Sequence, residues 1–441
     1  MTQGPYNVEG LPSVRAGAAQ VEITPPLGTS LAGYFTDRVS DAVADPLFAR
    51  VVVIETGDER MALISCDVIC LTRETVDPAK DLIAQQCGIS PERVLICATH
   101  THTGPNMRCK GKQVIPTNTD WLDTVPGLIS EAVEAACADM FDAVLVPGRQ
   151  SESAFGSNRL GRRRDGAEVF GKDQTIGAAG PIDPEVLALA VREYDGTVRA
   201  MVVNHAMHAD ATGGTHISAG WPGKVGRTVA DVYGPQAVTV FLNGCCGDIN
   251  HHHWVPKRVS SKGQLRTDQM GRGMAGLAVN AVEMAEPVEE AAIAGRLRRP
   301  LIPWYTRDDA MRAEVEVLRA QAEISPKDSM VIDRFDEWPY DGQMAEVTVQ
   351  AIRLGDMLFI GLPGEIFTKW GLEIKHWSPA QFTFVAELAN DWFGYIPTSD
   401  QAYRGAYGAK PILSRRLGAD GGRQMTDAVQ IMMWDLWEGR P

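Results

Sequence analysis

The sequence predicts an α/β fold: a single large domain over residues 15–441, with mixed β-sheets flanked by helices, behind a flexible tail of residues 1–14. Three observations carry this. Short apolar runs rich in β-branched residues alternate with longer segments of helical spacing. Histidines cluster directly after several of those runs, where α/β folds commonly place active-site groups. No repeat, low-complexity stretch or linker separates the clusters, which straddle much of the chain and favour one functional unit.

From Arg15 the chain reads as strand, through Val21-Glu22-Ile23, and then turns at Pro25-Pro26-Leu27-Gly28. Phe48 to Glu55 and Met61 to Cys66 read as adjacent strands joined at Gly57-Asp58. Thr75 to Cys87 has helical spacing, with Pro78 tolerable in its first turn and Gly88 as its stop. Val94 to Cys97 is a buried strand, and Trp121 to Met140 is read as one helix packed on the sheet. Val186 to Val191 and Arg199 to Asn204 read as strands across a turn at Asp195-Gly196. Pro222 to Val232 reads as a helix, Ala237 to Leu242 as a strand, and Asp268 to Met284 and Asp308 to Ala322 as helices. Ala345 to Arg353 and Met357 to Leu362 read as a hairpin turning at Gly355-Asp356. Gly364 to His376 and Thr426 to Trp437 are the last expected helices. Residues 158–180 and 323–344 are read as long loops.

Composition narrows the function. The chain has 441 residues, enough for a large core, and its 44% hydrophobic and 22% charged content is ordinary for a globular protein. A net charge of -14 argues against nucleic acid as a partner, because phosphate binding needs clustered Lys and Arg. A small-molecule substrate is expected instead. No apolar stretch reaches the roughly 18 residues of a membrane span, and residues 1–15 lack the pattern of a secretory leader. The eight cysteines form no paired Cys-x-x-Cys sets, and several sit in apolar runs. A reducing, cytoplasmic setting is expected. Oligomeric state leaves no visible mark.

The most informative segment is Ala98-Thr99-His100-Thr101-His102-Thr103-Gly104-Pro105, after the apolar run ending at Cys97. In extended backbone, residues two apart point the same way, so both imidazoles can face one point at a strand mouth. Neither core packing nor helix stability needs histidines among Thr, Gly and Pro. Eight of the nine histidines fall into three groups: His100 and His102; His205, His208 and His216; His251, His252 and His253. A metal site assembled from distant segments leaves such a trace. The ninth, His376, reads as a structural residue ending a helix beside Lys375.

Asn204-His205-Ala206-Met207-His208 supplies a second strand-end imidazole, and alternation alone leaves open whether His205 or His208 faces inward. Phe241 to Asn250 reads as a strand followed by a Gly-punctuated turn whose small residues let backbone approach a ligand. The triple histidine after it is either a solvated loop or a substrate contact. In Gly361-Leu362-Pro363-Gly364-Glu365, the acid stands at an expected helix start. Taken alone, that segment favours a glutamate stabilising the helix dipole over a metal ligand.

These segments, in this order, resemble the neutral/alkaline non-lysosomal ceramidase superfamily of zinc-dependent amidases across nearly the whole chain. The resemblance rests on Val21 to Pro26, Gly33-Tyr34, Asp45 to Arg50, the Ala98 to Pro105 motif, Ser157-Asn158-Arg159 and Asn204 to His208. It continues through Ile217-Ser218-Ala219, Gly247-Asp248, Pro363-Gly364-Glu365 and Gly394 to Thr398. It implies a ceramidase-like fold and a zinc ion held by His100, His208, Glu365 and Tyr395. It also implies His102 as the catalytic histidine, Arg159 as a substrate contact, and Tyr407 as a second tyrosine beside the scissile group.

The departures bear on chemistry. Two positions after Gly247-Asp248, the family has a serine proposed as nucleophile; here Asn250 stands there, so a serine mechanism is not expected. The family's Ile-Ser-x-Asp becomes Ile217-Ser218-Ala219-Gly220, and the glutamate after its second tyrosine becomes Gly408. The sequence runs about 34 residues past Tyr407, so the family's C-terminal immunoglobulin-like domain is not expected in it.

The expected activity is hydrolysis of an amide bond in a small polar substrate by a zinc-activated water. His102 serves as general base and then acid, Tyr407 as an oxyanion donor, Arg159 as an orienting cation, and Asn250 as a hydrogen-bonding pocket residue. Two alternatives compete with it: an ester or lactone hydrolase, lyase or isomerase on a hydroxylated compound, and a non-catalytic protein with a closed structural zinc.

Overall fold

The β-branched runs assemble into two main sheets that pack face to face. A computed structural model describes residues 6, 9–34, 36, 38–107, 116–152, 154–170, 175–251 and 260–439. The larger sheet has eight strands, in the spatial order Val238–Asn243, Val198–His205, Glu185–Glu193, Phe141–Ser151, Arg15–Glu22, Phe48–Thr56, Glu59–Cys66 and Val94–Ala98. Its outermost pair at each edge is parallel and the pairs between are antiparallel. Strand twist accumulates across so wide a sheet. The two edges meet: Phe241 N, on one edge strand, donates to Ser65 Oγ, next to the other, at 3.3 Å.

The second sheet has four strands, Ile293–Arg298, Val349–Leu354, Met357–Gly361 and Phe382–Ala386. It packs inside the curl. Val52, Leu63, Leu95, Leu189, Val202 and Leu242 of the large sheet form one buried cluster with Ile352, Phe359 and Phe384 of the small one. Each such side chain contributes about 1.5–3 kcal/mol on burial, so this cluster is a main source of stability. Arg73–Cys87 and Val125–Ala138 cover one outer half of the large sheet, and Gly220–Tyr233 and Gln264–Glu283 the other. Thr368–Trp377 and Gly421–Trp437 cover the small sheet. Because the edges meet, the segments leaving Val94–Ala98, Val198–His205 and Val238–Asn243 converge.

Several elements depart from expectation. The helix read over Trp121 to Met140 is split: Pro116–Leu122 and Val125–Ala138 are separate helices, with Pro126 in the first turn of the second. The following strand, Phe141–Ser151, was not anticipated, nor were Ile293–Arg298 and Phe382–Ala386. The 323–344 region is not a loop: Pro326–Asp336 is a helix, opened by Ser325, whose Oγ accepts from Asp328 N at 3.1 Å. Ser-Pro at a helix start is a capping signature. The 158–180 region carries a three-stranded sheet of Leu160–Arg163, Glu168–Phe170 and Thr175–Ala178. The helix expected from Gly364 begins at Thr368.

Of the 1–14 segment, Tyr6 and Leu11 pack partly buried against the helix-covered face, and Val14 is buried. Among the described residues, no helix is long and apolar enough to cross a membrane.

Candidate metal centre

His100 stands two residues past the edge strand Val94–Ala98, at φ 67°. A left-handed conformation is unusual for a non-glycine residue. It is held by His100 N donating to Val68 O at 3.0 Å and Thr99 N donating to Cys66 O at 2.9 Å. The His100 Nδ1–H donates to Ile69 O at 2.7 Å. His208 is fixed in the same manner, its Nδ1–H donating to Cys246 O at 2.9 Å. A neutral imidazole that donates from Nδ1 keeps a lone pair on Nε2. The two Nε2 atoms lie 3.1 Å apart across a buried gap. Burial opposes a charge on His100, yet Glu365 outweighs it and raises His100 above the usual histidine value, so the gap already favours a positive charge.

Two oxygens and a third nitrogen surround the gap. Glu365 Oε2 is 3.6 Å from His100 Nε2 and 3.5 Å from His208 Nε2. Tyr395 Oη is 3.5 Å from His208 Nε2, and His102 Nε2 is 3.3 Å from His100 Nε2. Imidazole nitrogens bind zinc at about 2.0–2.1 Å, which sets two of them roughly 3.3 Å apart on a tetrahedron. The donor set therefore fits one small metal ion, and the buried group His100, His102 and His208 could hold it.

Glu365 is not at a helix start, since the helix begins at Thr368. Its N–H donates to Gly394 O at 2.9 Å in a short parallel bridge of Glu365–Ile366 with Tyr395–Ile396. That bridge aligns the acid and the tyrosine side by side. At the Gly turn the close approach is to protein backbone: a Cβ on Gly247 would lie 2.4 Å from Glu365 O. Gly408 is similarly constrained, at φ 81° with a Cβ position 2.5 Å from Tyr395 Cδ1, so no side chain fits there beside Tyr395 as it stands.

Electrostatics follow from burial. Burial opposes the charged Glu365 carboxylate, yet His100 and His208 outweigh it and hold the carboxyl well below its ordinary range. Burial drives His208 down to about 4, with Arg159 adding to the effect. Burial, together with His100, drives His102 well below the usual histidine range, so that imidazole is neutral. Its Nδ1 is buried with no hydrogen-bond partner among the described residues. Burial and then Glu365 push the Tyr395 phenol well above 10.

The remaining sequence-derived residues divide. Arg159 joins the centre: one terminal nitrogen donates to Gly247 O at 2.7 Å and to Tyr395 Oη at 3.3 Å. Tyr407 lies under the same guanidinium at 4.3 Å, edge-on to Tyr395, and is 46% exposed. Asn250 is buried, but its Oδ1 accepts from His251 N at 2.7 Å and it makes no hydrogen bond to the donors. His205 points elsewhere, its Nδ1 donating to Glu185 O at 3.0 Å. His216 is exposed near Asp41. His376 is exposed in the last turn of its helix. His251 is buried against Asp210, 2.8 Å from Nε2 to Oδ1. His252 and His253 lie outside the described residues.

Two buried acids near the centre were missed. Asp210, two residues past His208, also takes Lys262 Nζ at 3.3 Å. Burial opposes its charge, yet His251 holds it well below the carboxylate range. Glu387 is fully buried behind Cys246, and burial raises it to about 8. The alternation after His208 could have pointed to Asp210. Nothing marked Glu387, because its preceding strand was itself unread.

No known family profile matches the chain, and no curated protein matches it. Solved structures similar over its length include two ceramidases. Neutral ceramidase from Pseudomonas aeruginosa is 17% identical, with a TM-score of 0.76 covering 97% of this chain and 75% of that one. A ceramidase complexed with C2 is 16% identical, with a TM-score of 0.74 covering 97% and 76%. The fold is therefore the neutral ceramidase fold, a large mixed sheet flanked by helices.

Proposed function

We propose that this chain is a zinc-dependent hydrolase that cleaves an amide bond with water activated at a centre formed by His100, His208, Glu365 and Tyr395. The observation that carries the reading is the pair of facing Nε2 atoms, 3.1 Å apart and flanked by the Glu365 carboxylate, on a ceramidase-like fold. Those residues would hold zinc, which would act as a Lewis acid and lower the pKa of water from 15.7 toward roughly 7.

The chain's own residues do the rest. His102 is neutral and turns Nε2 toward the same point, so it can take a proton from the attacking water and deliver it to the leaving nitrogen. The Tyr407 phenol donates to the developing oxyanion, an interaction worth on the order of 3 kcal/mol. Arg159 orients the Tyr395 phenol and presents its other donors to a polar part of the substrate. Asn250 offers no nucleophile, which leaves water to make the attack. The cysteine pattern supports a cytoplasmic setting for this chemistry.

The test is a screen of the zinc-loaded protein against small polar amides, short-chain ceramides, esters and lactones in water labelled with heavy oxygen. Amide cleavage should place one solvent oxygen in the carboxylate product. Turnover without solvent oxygen points to a lyase or isomerase and ends the hydrolase reading.

A further inference from the structure

Three separate segments bring the donors to the centre: the loop after Val94–Ala98 with His100, the loop after Val198–His205 with His208, and the Glu365–Ile366 bridge. One side chain outside the donor set touches the supports of two of them. Glu387 is fully buried just past the strand Phe382–Ala386. Its Oε2 accepts from Ile366 N at 2.7 Å, next to Glu365, and from Cys246 N at 3.1 Å. Cys246 is the residue whose carbonyl receives the His208 Nδ1–H. Glu387 Oε1 also takes Cys246 Sγ at 2.9 Å.

The backbone around this acid reaches the third segment. Leu388 N donates to Gly364 O at 3.1 Å, and Leu388 O accepts from Ala98 N at 3.2 Å, two residues before His100. Leu388 and Asn390 hold φ of 55° and 66°, left-handed conformations in buried non-glycine residues. Such strain persists only where surrounding contacts over-determine it, and it collects at functional sites.

We infer that Glu387 is a positioning residue of the metal centre, its carboxyl setting the spacing between Glu365 and His208 by joining Ile366 N to Cys246 N. The inference rests on the metal centre proposed above. A glutamine can reproduce the essential contact, because its carbonyl oxygen accepts from both N–H groups. A leucine leaves both donors buried and unpaired. An aspartate keeps the acid but falls one methylene short.

Cobalt(II) alone is the probe, read by its visible absorption bands and by competition with a chelator, on the full chain. Wild type and Glu387→Gln should bind with the same spectrum and within about threefold in affinity. Glu387→Leu should bind about 10–100-fold more weakly with altered bands, the usual effect of losing an outer-shell partner. The metal-free Leu and Gln variants should share one circular dichroism spectrum. Glu387→Asp, expected to be weakened about tenfold, serves if the leucine variant does not fold. Wild-type cobalt affinity and bands in the Leu or Asp variant overturn the inference and leave the centre standing. Absence of cobalt binding by wild type brings down the centre and the inference together.

Discussion

The strand Val94–Ala98 ends in two buried polar clusters of opposite character. At its start, Lys80 Nζ donates to Gln350 Oε1 at 3.2 Å and Pro91 O at 3.3 Å. There Gln350 Nε2 donates to Glu92 O at 2.9 Å and Val94 O at 3.2 Å, and Asn390 Nδ2 to Gln350 Oε1 at 2.9 Å. Donors meet acceptors, with Asn390 Oδ1 the one acceptor left over. Past the other end, His100, His208 and Glu365 converge with more acceptors than donors, and against its burial His100 is raised by Glu365, as a site short of positive charge requires. Buried polar groups are normally paired, so an uncompensated excess of acceptors marks a place where a cation belongs. Burial alone does not separate the clusters; the balance of donors does.

The sharpest way to break this contrast is to remove an acceptor from the second cluster. Metal analysis of wild type should find about one zinc per chain, and Glu365→Ala or His100→Ala should lose it. Activity should then fall at least about 10³-fold, since a bound metal supplies several kcal/mol of transition-state stabilisation. Lys80→Met should keep full zinc. Retention of zinc by both ligand variants would dissolve the contrast.

His102 divides the second cluster further. Glu365 Oε2 lies within ion-pair distance of His100 and His208 but, among the described residues, makes no such pair with His102. His102→Ala should therefore keep its zinc while kcat falls about 10²–10⁴-fold, the range for a lost general base. A variant that loses zinc instead would put all three imidazoles on the metal, as their mutual proximity permits.

A cation should also stabilise the fold. At free zinc 100–1,000 times its Kd, the unfolding free energy should rise by about 2.7–4.1 kcal/mol over the chelated protein. Glu365→Ala should show no such rise, and denaturant melts with and without chelator make the comparison.

Much of this contrast was legible in the residues, and the reason is local. His100 follows a β-branched run, Val94 to Cys97, that reads as a strand from its own residues, and the Thr-His-Thr-His-Thr-Gly-Pro that follows suits no core or helix. Choosing His208 over His205 was not local: alternation allowed either, and the resemblance supplied the choice that the Cys246 contact accompanies. Glu365 was read onto a helix because Gly364 to His376 has helical spacing, whereas a bridge to Tyr395, thirty residues away, governs its backbone. Glu387 was invisible for the same reason, since its contacts run to residues 246 and 366. What depends on pairing between distant segments leaves no periodicity to read.

The first cluster supplies the smallest effect, and it tests whether donor balance was the right criterion. Burial lowers Lys80 to about 7, against about 10.4 for an unfolded lysine. Between those values the unfolded chain holds more protons at this site than the folded one. Stability from Lys80 is thus complete above about pH 10 and is lost as pH falls toward 7, with a slope of at most about 1.4 kcal/mol per unit. Lys80→Met removes this slope. It leaves Pro91 O with Gln350 Nε2 and Gln350 Oε1 with Asn390 Nδ2, so no acceptor is orphaned by the change. Denaturant melts at pH 7, 8 and 9 should show wild type gaining on the variant as pH rises, with the variant at least as stable at pH 7. Parallel curves would mean that the ammonium is solvated in the folded chain, and that the closed cluster is not closed.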